Sequence, residues 1–485
     1  MVDKIYITNV DEVYVKIECE DHVAYELREF FTFSVPGYQF TPQYRAKLWD
    51  GKIRLFELRT KKLYRGLVSY VQKFCLERDY DFDYENESND NEFSLIEAES
   101  FIKNLKLPLE PRDYQIEAFT HAIRSKRSLL LSPTASGKSL IIYLIMRYVA
   151  SRTLIIVPTT SLVSQLATDF KDYGFDSDRF VHKIFSGQEK HTNKPITIST
   201  WQSLYKMPKK FFEQFDLVIG DEAHLFKAKS LTDIMTALTK AKYRIGTTGT
   251  LDGTKTHKLV LEGLFGPTKK VITTKELMDN KVVADFNIKC LLLKYPQDVC
   301  KAMKEATYQK EIEFLVLNEN RNKFIVNLAS SLKDNTLVLY QLVDKHGKML
   351  YDMLRNLEEN KDRKIFFVHG STDVDDREDI RRIVESEKNA IIVASFGTFS
   401  TGINIKNLHN IIFASPSKSR IRNLQSIGRG LRKSDTKTEA TLFDIADDLS
   451  YKKHYNYTFK HFEYRIKTYS EEMFSFKIYK IDLGH

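Results

Sequence analysis

Cysteine is sparse in this chain, and the four present, Cys19, Cys75, Cys290 and Cys300, have no C-x-x-C spacing and no matching histidine pair. Neither a disulfide framework nor a zinc site is indicated, and reduced thiols are expected. Long apolar runs are missing: nothing approaches the ~20 residues needed to span a bilayer. The opening Met1-Val2-Asp3-Lys4 also lacks a charged-then-apolar signal pattern. Secretion and membrane insertion are therefore not expected, and a cytoplasmic protein is, in the host cytoplasm if the source is viral. There is no internal repeat and no low-complexity segment. Charge of one sign is only modestly in excess, +9 over 485 residues, which suits a polyanionic partner and equally a merely basic soluble protein. With 42% hydrophobic residues the chain can build ordinary buried cores, and its length suggests about three domains of ~150 residues.

What is present centres on Leu129-Leu130-Leu131-Ser132-Pro133-Thr134-Ala135-Ser136-Gly137-Lys138-Ser139. An apolar run, a turn of small residues and then Gly-Lys-Ser opening a helix is the order a phosphate-binding loop requires. A buried strand must stop, offer backbone N–H groups to phosphate oxygens, and pass into a helix whose N-terminus favours anions. Thr134, Ser136, Gly137, Lys138 and Ser139 are the expected ATP contacts, with Lys138 on the β- and γ-phosphates and Ser139 on Mg²⁺. Ser132 stands where the common motif has its first glycine. Upstream, Pro111-Arg112-Asp113-Tyr114-Gln115 offers a glutamine amide, a donor and an acceptor suited to an adenine edge.

Downstream, Asp216-Leu217-Val218-Ile219-Gly220-Asp221-Glu222-Ala223-His224 ends an apolar strand in two adjacent carboxylates. Asp221 is expected beside Mg²⁺ and Glu222 beside the attacking water, with His224 linking them to Thr247-Thr248-Gly249-Thr250. The strands Thr153-Leu154-Ile155-Ile156-Val157 and Ile196-Thr197-Ile198-Ser199 run into hydroxyl-bearing loops that carry Thr159, Thr160, Thr200 and Trp201. Neutral donors of this kind can grip a nucleic-acid backbone and release it each cycle. Helix N-capping accounts nearly as well for Thr160 and Ser161.

From residue 282 onward, short apolar runs alternate with helical stretches, which predicts a second parallel sheet covered on both faces. It carries no second P-loop. It does carry a small-residue loop, Ser395-Phe396-Gly397-Thr398-Phe399-Ser400-Thr401-Gly402-Ile403-Asn404, and Gln425-Ser426-Ile427-Gly428-Arg429-Gly430-Leu431-Arg432. Arg429 and Arg432, three apart, share a helix face and are expected to stabilise charge on the transferred phosphoryl group. From Asp447 apolar residues recur at helical spacing and then alternate, so a helix and a strand are expected to pack on the second sheet.

The acidic stretch 86–92 reads as a linker, giving three domains: 1–92, 93–280 and 281–485. In the first, residues 38–54 interleave aromatics with Arg45, Lys47, Lys52 and Arg54. These cations are expected to meet phosphates while aromatic faces stack on bases; the alternative makes Tyr38, Phe40 and Trp49 core residues of a small α/β module.

Taken in order, Gln115, the Gly137-Lys138-Ser139 loop, Asp221-Glu222-Ala223-His224, Thr248-Gly249-Thr250, the Gly402 loop and Gln425 to Arg432 resemble superfamily 2 helicases and translocases. The resemblance spans roughly residues 111–443. It implies an α/β fold with two RecA-like parallel-sheet lobes plus a small N-terminal α/β (α+β) domain. It also implies an ATP site with Gln425 among the nucleotide contacts, and Thr401 and Gly402 on nucleic acid. Trp49-Asp50-Gly51, with Val157-Pro158-Thr159-Thr160 and Thr200-Trp201-Gln202, is similar to the phage recombination and branch-migration helicases of that superfamily. That further likeness implies remodelling of branched DNA: junction migration, fork regression and removal of R-loops, with junctions or RNA–DNA hybrids as partners. Asn404, where many relatives carry aspartate, is a departure. An RNA helicase, or a binding module or duplex translocase switched by ATP without strand separation, remains open on the motifs alone.

Overall fold

The computed structural model describes residues 4–85, 93–185, 189, 192–226, 228–402, 405, 407–430 and 437–484. By internal contacts the chain divides into two compact units, Met1–Ser132 with Gly137–Val271, and Pro133–Ser136 with Ile272–His485.

The first unit opens with a small mixed sheet. Its strands are β1 (Lys4–Asn9), β2 (Tyr14–Glu18), β5 (Lys62–Tyr64) and β6 (Asp81–Tyr84), in the order β5-β2-β1-β6, with β1 and β6 parallel and the other pairs antiparallel. Strict alternation in β1 and β2 turns Ile5, Ile7, Val15 and Ile17 inward, where they meet Val23 and Leu27 of the helix Asp21–Phe30 and Val71 and Phe74 of the helix Val68–Arg78. A separate two-stranded ribbon, β3 (Thr32–Ser34) with β4 (Lys52–Arg54), carries an excursion over residues 35–51. That excursion leaves the core: Phe40 is 76% and Leu48 81% exposed, and neither Tyr38 nor Trp49 belongs to the buried cluster of the module. Of the two readings of this segment, the core role for Phe40 is excluded.

The module sits on the helix Lys255–Phe265. A methyl group on Gly66 would lie 2.0 Å from the carbonyl oxygen of Glu262, so only glycine allows this approach. Beside it the Tyr70 hydroxyl donates to Glu262 Oε2 at 2.5 Å, and Glu12 accepts from both Arg65 and Arg127.

The parallel sheet of this unit runs β13-β7-β12-β11-β8-β10-β9, from β7 (Arg127–Leu131), β8 (Thr153–Val157), β9 (Val181–Ile184), β10 (Ile196–Thr200), β11 (Leu217–Asp221), β12 (Tyr243–Thr248) and β13 (Thr268–Lys270). Central strands are buried on both faces, which is why they read as unbroken apolar runs. Arg244, in β12, is fully buried, and its guanidinium donates to the carbonyls of Leu264, Leu238 and Met235 at 2.9, 2.9 and 2.7 Å.

In the second unit a sheet ordered β16-β17-β15-β18-β19-β14-β20 is also wholly parallel. It comprises β14 (Asp285–Lys294), β15 (Thr336–Tyr340), β16 (Ile365–Val368), β17 (Ile391–Ser395), β18 (Asn410–Phe413), β19 (Glu439–Asp448) and β20 (Ser475–Asp482). Two ion pairs sealed from solvent tie helices to β19: Arg321 to Asp447 at 2.7 Å and Arg465 to Asp444 at 2.9 Å. Both oxygens of Asp447 accept from Arg321, and Asp444 Oδ2 accepts from Arg465 Nε and from the Tyr469 hydroxyl, each at 2.9 Å, which offsets part of the cost of burying these charges.

Two sequence readings are corrected. Residues 396–402 are helical rather than a loop, because Ser395 Oγ accepts from the Thr398 N–H at 3.2 Å and Phe396 and Phe399 bury at helical spacing; Ile403 and Asn404 lie outside the described residues. The last helix begins at Tyr457, not near Asp447, since β19 runs on to Asp448 and Glu311 caps the later start, accepting from the N–H groups of Tyr457 and Thr458 at 2.9 and 2.7 Å. The terminal strand β20 does join the second sheet, beside β14.

Candidate nucleotide and nucleic-acid site

The turn between β7 and the helix Lys138–Val149 is pinned from several sides. The Ser132 N–H donates to the Thr248 carbonyl at 2.8 Å, and Ser136 Oγ donates to the Pro133 carbonyl at 2.7 Å. Ala135 takes a left-handed φ of 67°, and Gly137 one of 78°. A side chain at 137 would also strike Gln115 Nε2, 2.3 Å from the Cβ position, so glycine is required twice over. Lys138 Nζ donates to the Ser132 carbonyl at 3.2 Å, folding its ammonium back over the turn. Such a chain of backbone amides ahead of a helix N-terminus is an anion-binding concavity.

Gln115 is buried, the third residue of the helix Asp113–Ser125. Its Oε1 accepts from the Arg112 N–H at 2.9 Å and its Nε2 faces the Gly137 carbonyl at 3.4 Å, so the amide ties the upstream motif to the turn.

Asp221 closes β11. Its Oδ1 accepts from the Glu222 N–H at 2.9 Å and from Thr247 Oγ1 at 2.8 Å. Burial, then the adjacent Glu222, raises its pKa, while Lys138 opposes the rise. A carboxylate held this way favours a cation beside it, and a carboxylate and a hydroxyl such as those of Asp221 and Ser139 are hard-oxygen donors of the kind that suit Mg²⁺. Glu222 adopts a φ of 51°, and its Oε2 lies 3.2 Å from His224 Nδ1. His224 Nδ1 also lies 3.0 Å from Thr248 Oγ1, so the link from the carboxylates to the end of β12 is present. Two participants escaped the sequence reading. His257 Nε2 donates to the His224 carbonyl at 2.8 Å, and the Tyr173 hydroxyl lies 2.8 Å from Ser139 Oγ.

Of the hydroxyl loops, Thr159 rather than Thr160 caps the helix Thr160–Asp172, and Thr160 is exposed. Thr200 is buried with its Oγ1 3.1 Å from Ser203 Oγ, and Trp201 packs partly against the core. Arg45, Lys47 and Lys52 are exposed around the excursion, whereas Arg54 pairs with Asp50, holding the Asp50 carboxyl at about 2. Thr134 lies in the turn and is partly exposed; Gln425 lies in the helix Arg420–Gly430. Thr401 and Gly402 end the helix Phe396–Gly402 and Arg429 lies in Arg420–Gly430, but their side chains, and all of Arg432, lie outside the described residues.

Among the described residues no group of three or more His, Cys, Asp or Glu could hold a metal by itself, and no helix is long and apolar enough to cross a membrane.

A P-loop strand, a neighbouring Asp-Glu-Ala-His and two seven-stranded parallel sheets define a superfamily 2 helicase. Family models match at residues 4–85 (DNA helicase UvsW, N-terminal), 108–253 (type III restriction enzyme, res subunit) and 320–434 (helicase conserved C-terminal domain). The ATP-dependent DNA helicase UvsW of Enterobacteria phage T4 is 36% identical over 98% of both chains. The chain belongs to the UvsW family. The crystal structure of T4 UvsW covers 99% of this chain and all of its own, at 34% identity and a TM-score of 0.53. A DNA 3'-5' translocase, XPB2 of Sulfurisphaera tokodaii, is 28% identical over 82% of this chain and 92% of its own.

Proposed function

We propose that this protein is an ATP-driven DNA motor that remodels branched DNA, migrating junctions, regressing forks and displacing strands from R-loops or D-loops in recombination, repair and replication. The observation that carries the motor is the pairing of a glycine-pinned phosphate loop with the half-buried Asp221 and its neighbour Glu222. Family membership supports DNA as the polymer, and the exposed, cation-bearing excursion over residues 35–51 supports a branch reader in the region 1–92, ahead of motor regions 93–280 and 281–485. The proposed setting is the cytoplasm, that of the host cell if the source is viral.

In this reading Lys138 and the amides of Thr134, Ser136 and Gly137 bind the phosphates, and Gln115 and Gln425 complete the nucleotide pocket. Ser139 and Asp221 would hold Mg²⁺, which supplies charge neutralisation at the phosphate oxygens. Glu222, fixed by its left-handed backbone and by His224, orients the attacking water and takes its proton. Arg429 and Arg432 stabilise the charge that develops on the transferred group. Thr159, Thr160, Thr200, Trp201, Thr401 and Gly402 grip the strand, mostly through phosphates, which positions it without reading sequence.

The test is the ATPase rate at fixed salt without nucleic acid and with matched single-stranded DNA, duplex, four-way junction and RNA. Preferential stimulation by the junction is expected. Equal or greater stimulation by RNA overturns the choice of DNA, and no stimulation overturns the motor.

A further inference from the structure

The first parallel sheet has a second charged edge, opposite the nucleotide turn. β7 begins at Arg127 and runs five residues, roughly 16 Å, before the turn. At its beginning, where the N-terminal module meets the sheet, lies a cleft of about 420 Å³, within the ligand-sized range of roughly 300–1,000 Å³. Its charged lining is Arg65, Arg124, Lys126, Arg127 and Lys242 against the single carboxylate of Glu12.

That carboxylate is already shared. One oxygen, Oε2, accepts from Arg65 at 2.9 Å and also from Arg127. Each guanidinium carries five N–H donors, so one carboxylate oxygen leaves much of their capacity unused. Both side chains are largely buried, at 13% and 12% exposure, so solvent screens them weakly. Burial, then Arg65, pushes Arg127 down to about 10, and burial, then Arg127, pushes the deeper Arg244 down to about 9. Arg127 and Arg244 both stay charged at neutral pH, and among the described residues the hydrogen bonds of the three guanidinium groups go to Glu12 and backbone carbonyls, with Asp11 also near Arg244. Nothing in the nucleotide chemistry uses this cluster. A packed excess of cations around an open cleft costs stability unless an anion compensates it.

We infer that this cleft binds phosphate groups of a nucleic-acid backbone, with Arg65 and Arg127 as buried anchors and Arg124, Lys126 and Lys242 around its mouth. The cations come from the N-terminal module, from the end of the helix Asp113–Ser125, from the start of β7 and from the residues ahead of β12, so several segments contribute to one cleft. Five cations against one carboxylate suit the repeated charges of a polymer. The planar forks of the two anchors suit phosphate oxygens taken in pairs. The inference rests on DNA as the partner and adds a contact remote from the loops that follow the strands.

The experiment uses the full chain and a labelled DNA duplex, with affinity measured across a salt series for the wild type, for Arg124→Glu with Lys242→Glu, and for Lys242→Glu alone. Because Arg124 also donates to the Phe93 carbonyl, the single variant, on an exposed side chain, carries the test if the double variant melts early. The double variant is expected to lose about tenfold in affinity, and its slope of log affinity against log salt to fall by about two, the single by about one. Unchanged affinity and slope at an unchanged melting temperature overturn the inference. Inorganic phosphate is the second probe: protection of the wild type but not of the variants against melting, with equal duplex affinities, assigns the cleft to a free anion and overturns the nucleic-acid assignment. A wild type that binds no DNA overturns the underlying reading instead.

Discussion

The hydroxyl of Tyr173 lies 2.8 Å from Oγ of Ser139, joining the end of the helix Thr160–Asp172 to the first turn after the phosphate loop. Burial raises the pKa of this phenol, so it keeps its proton at neutral pH. The same helix begins at Thr159 and Thr160, assigned above to nucleic acid. Tyr173→Phe keeps the ring against Tyr143 and removes only the hydroxyl. Its expected stability cost is about 1 kcal/mol. The KM for ATP should change a few fold with kcat nearly constant if the phenol only positions Ser139; a change in DNA stimulation would show that the helix also carries a signal. Steady-state kinetics with and without DNA separates the two.

Lys138→Ala should lower ATP turnover by roughly 10²-fold or more while the melting temperature stays near that of the wild type. Glu222→Gln should retain nucleotide binding and lose roughly 10²–10⁴-fold in hydrolysis. Filter binding of labelled ATP beside phosphate release distinguishes a binding defect from a chemical one, and normal hydrolysis by either variant removes the assigned role.

Replacing Arg45, Lys47 and Lys52 with alanine should weaken binding to four-way junctions and flatten its salt slope by about one per lost phosphate contact. Adding Arg54→Ala should do less than any of the three, because Asp50 already engages Arg54. Titration of a labelled junction at several salt concentrations reads both effects.

Arg432→Ala should depress turnover more than nucleotide affinity, the pattern of a group that acts on the transition state. Loss of DNA binding alone would move Arg432 to the nucleic-acid contacts.

His346 provides a pH test in the second unit. It is buried between Ser415 Oγ at 2.9 Å and Asn322 Oδ1 at 3.2 Å, and burial, with Arg321 nearby, pushes its imidazole down to about 3 from an ordinary 6.5. Below pH 6.5 the unfolded chain takes up a proton that the folded chain refuses, so stability falls from there down to about pH 3. The slope approaches about 1.4 kcal/mol per pH unit. His346→Gln removes this term, and its melting temperature should fall less between pH 7 and 5 than that of the wild type.

Much of this fold was legible because parallel strands buried on both faces must be apolar throughout. Thr153–Val157 and Thr336–Tyr340 announce themselves in this way. The phosphate turn was legible for a different reason: a left-handed residue pressed on Gln115 can only be glycine, and it stands directly before Lys138 and Ser139. Tertiary partners were not legible. Tyr173 reaches Ser139 across 34 residues and Arg127 reaches Glu12 across 115, with no local pattern to mark either pair. The start of the last helix was misplaced for the same reason, because the carboxylate that caps it belongs to Glu311, 146 residues upstream of Tyr457.

The bare backbone of Gly66 against Glu262 has a mechanical consequence. That close approach, with Tyr70 bonded to Glu262 and Glu12 accepting from Arg127, resists sliding of the N-terminal module over the sheet that carries the nucleotide turn. A load applied to the excursion over residues 35–51 therefore has a bonded route through the module to the start of β7, where Arg127 meets Glu12.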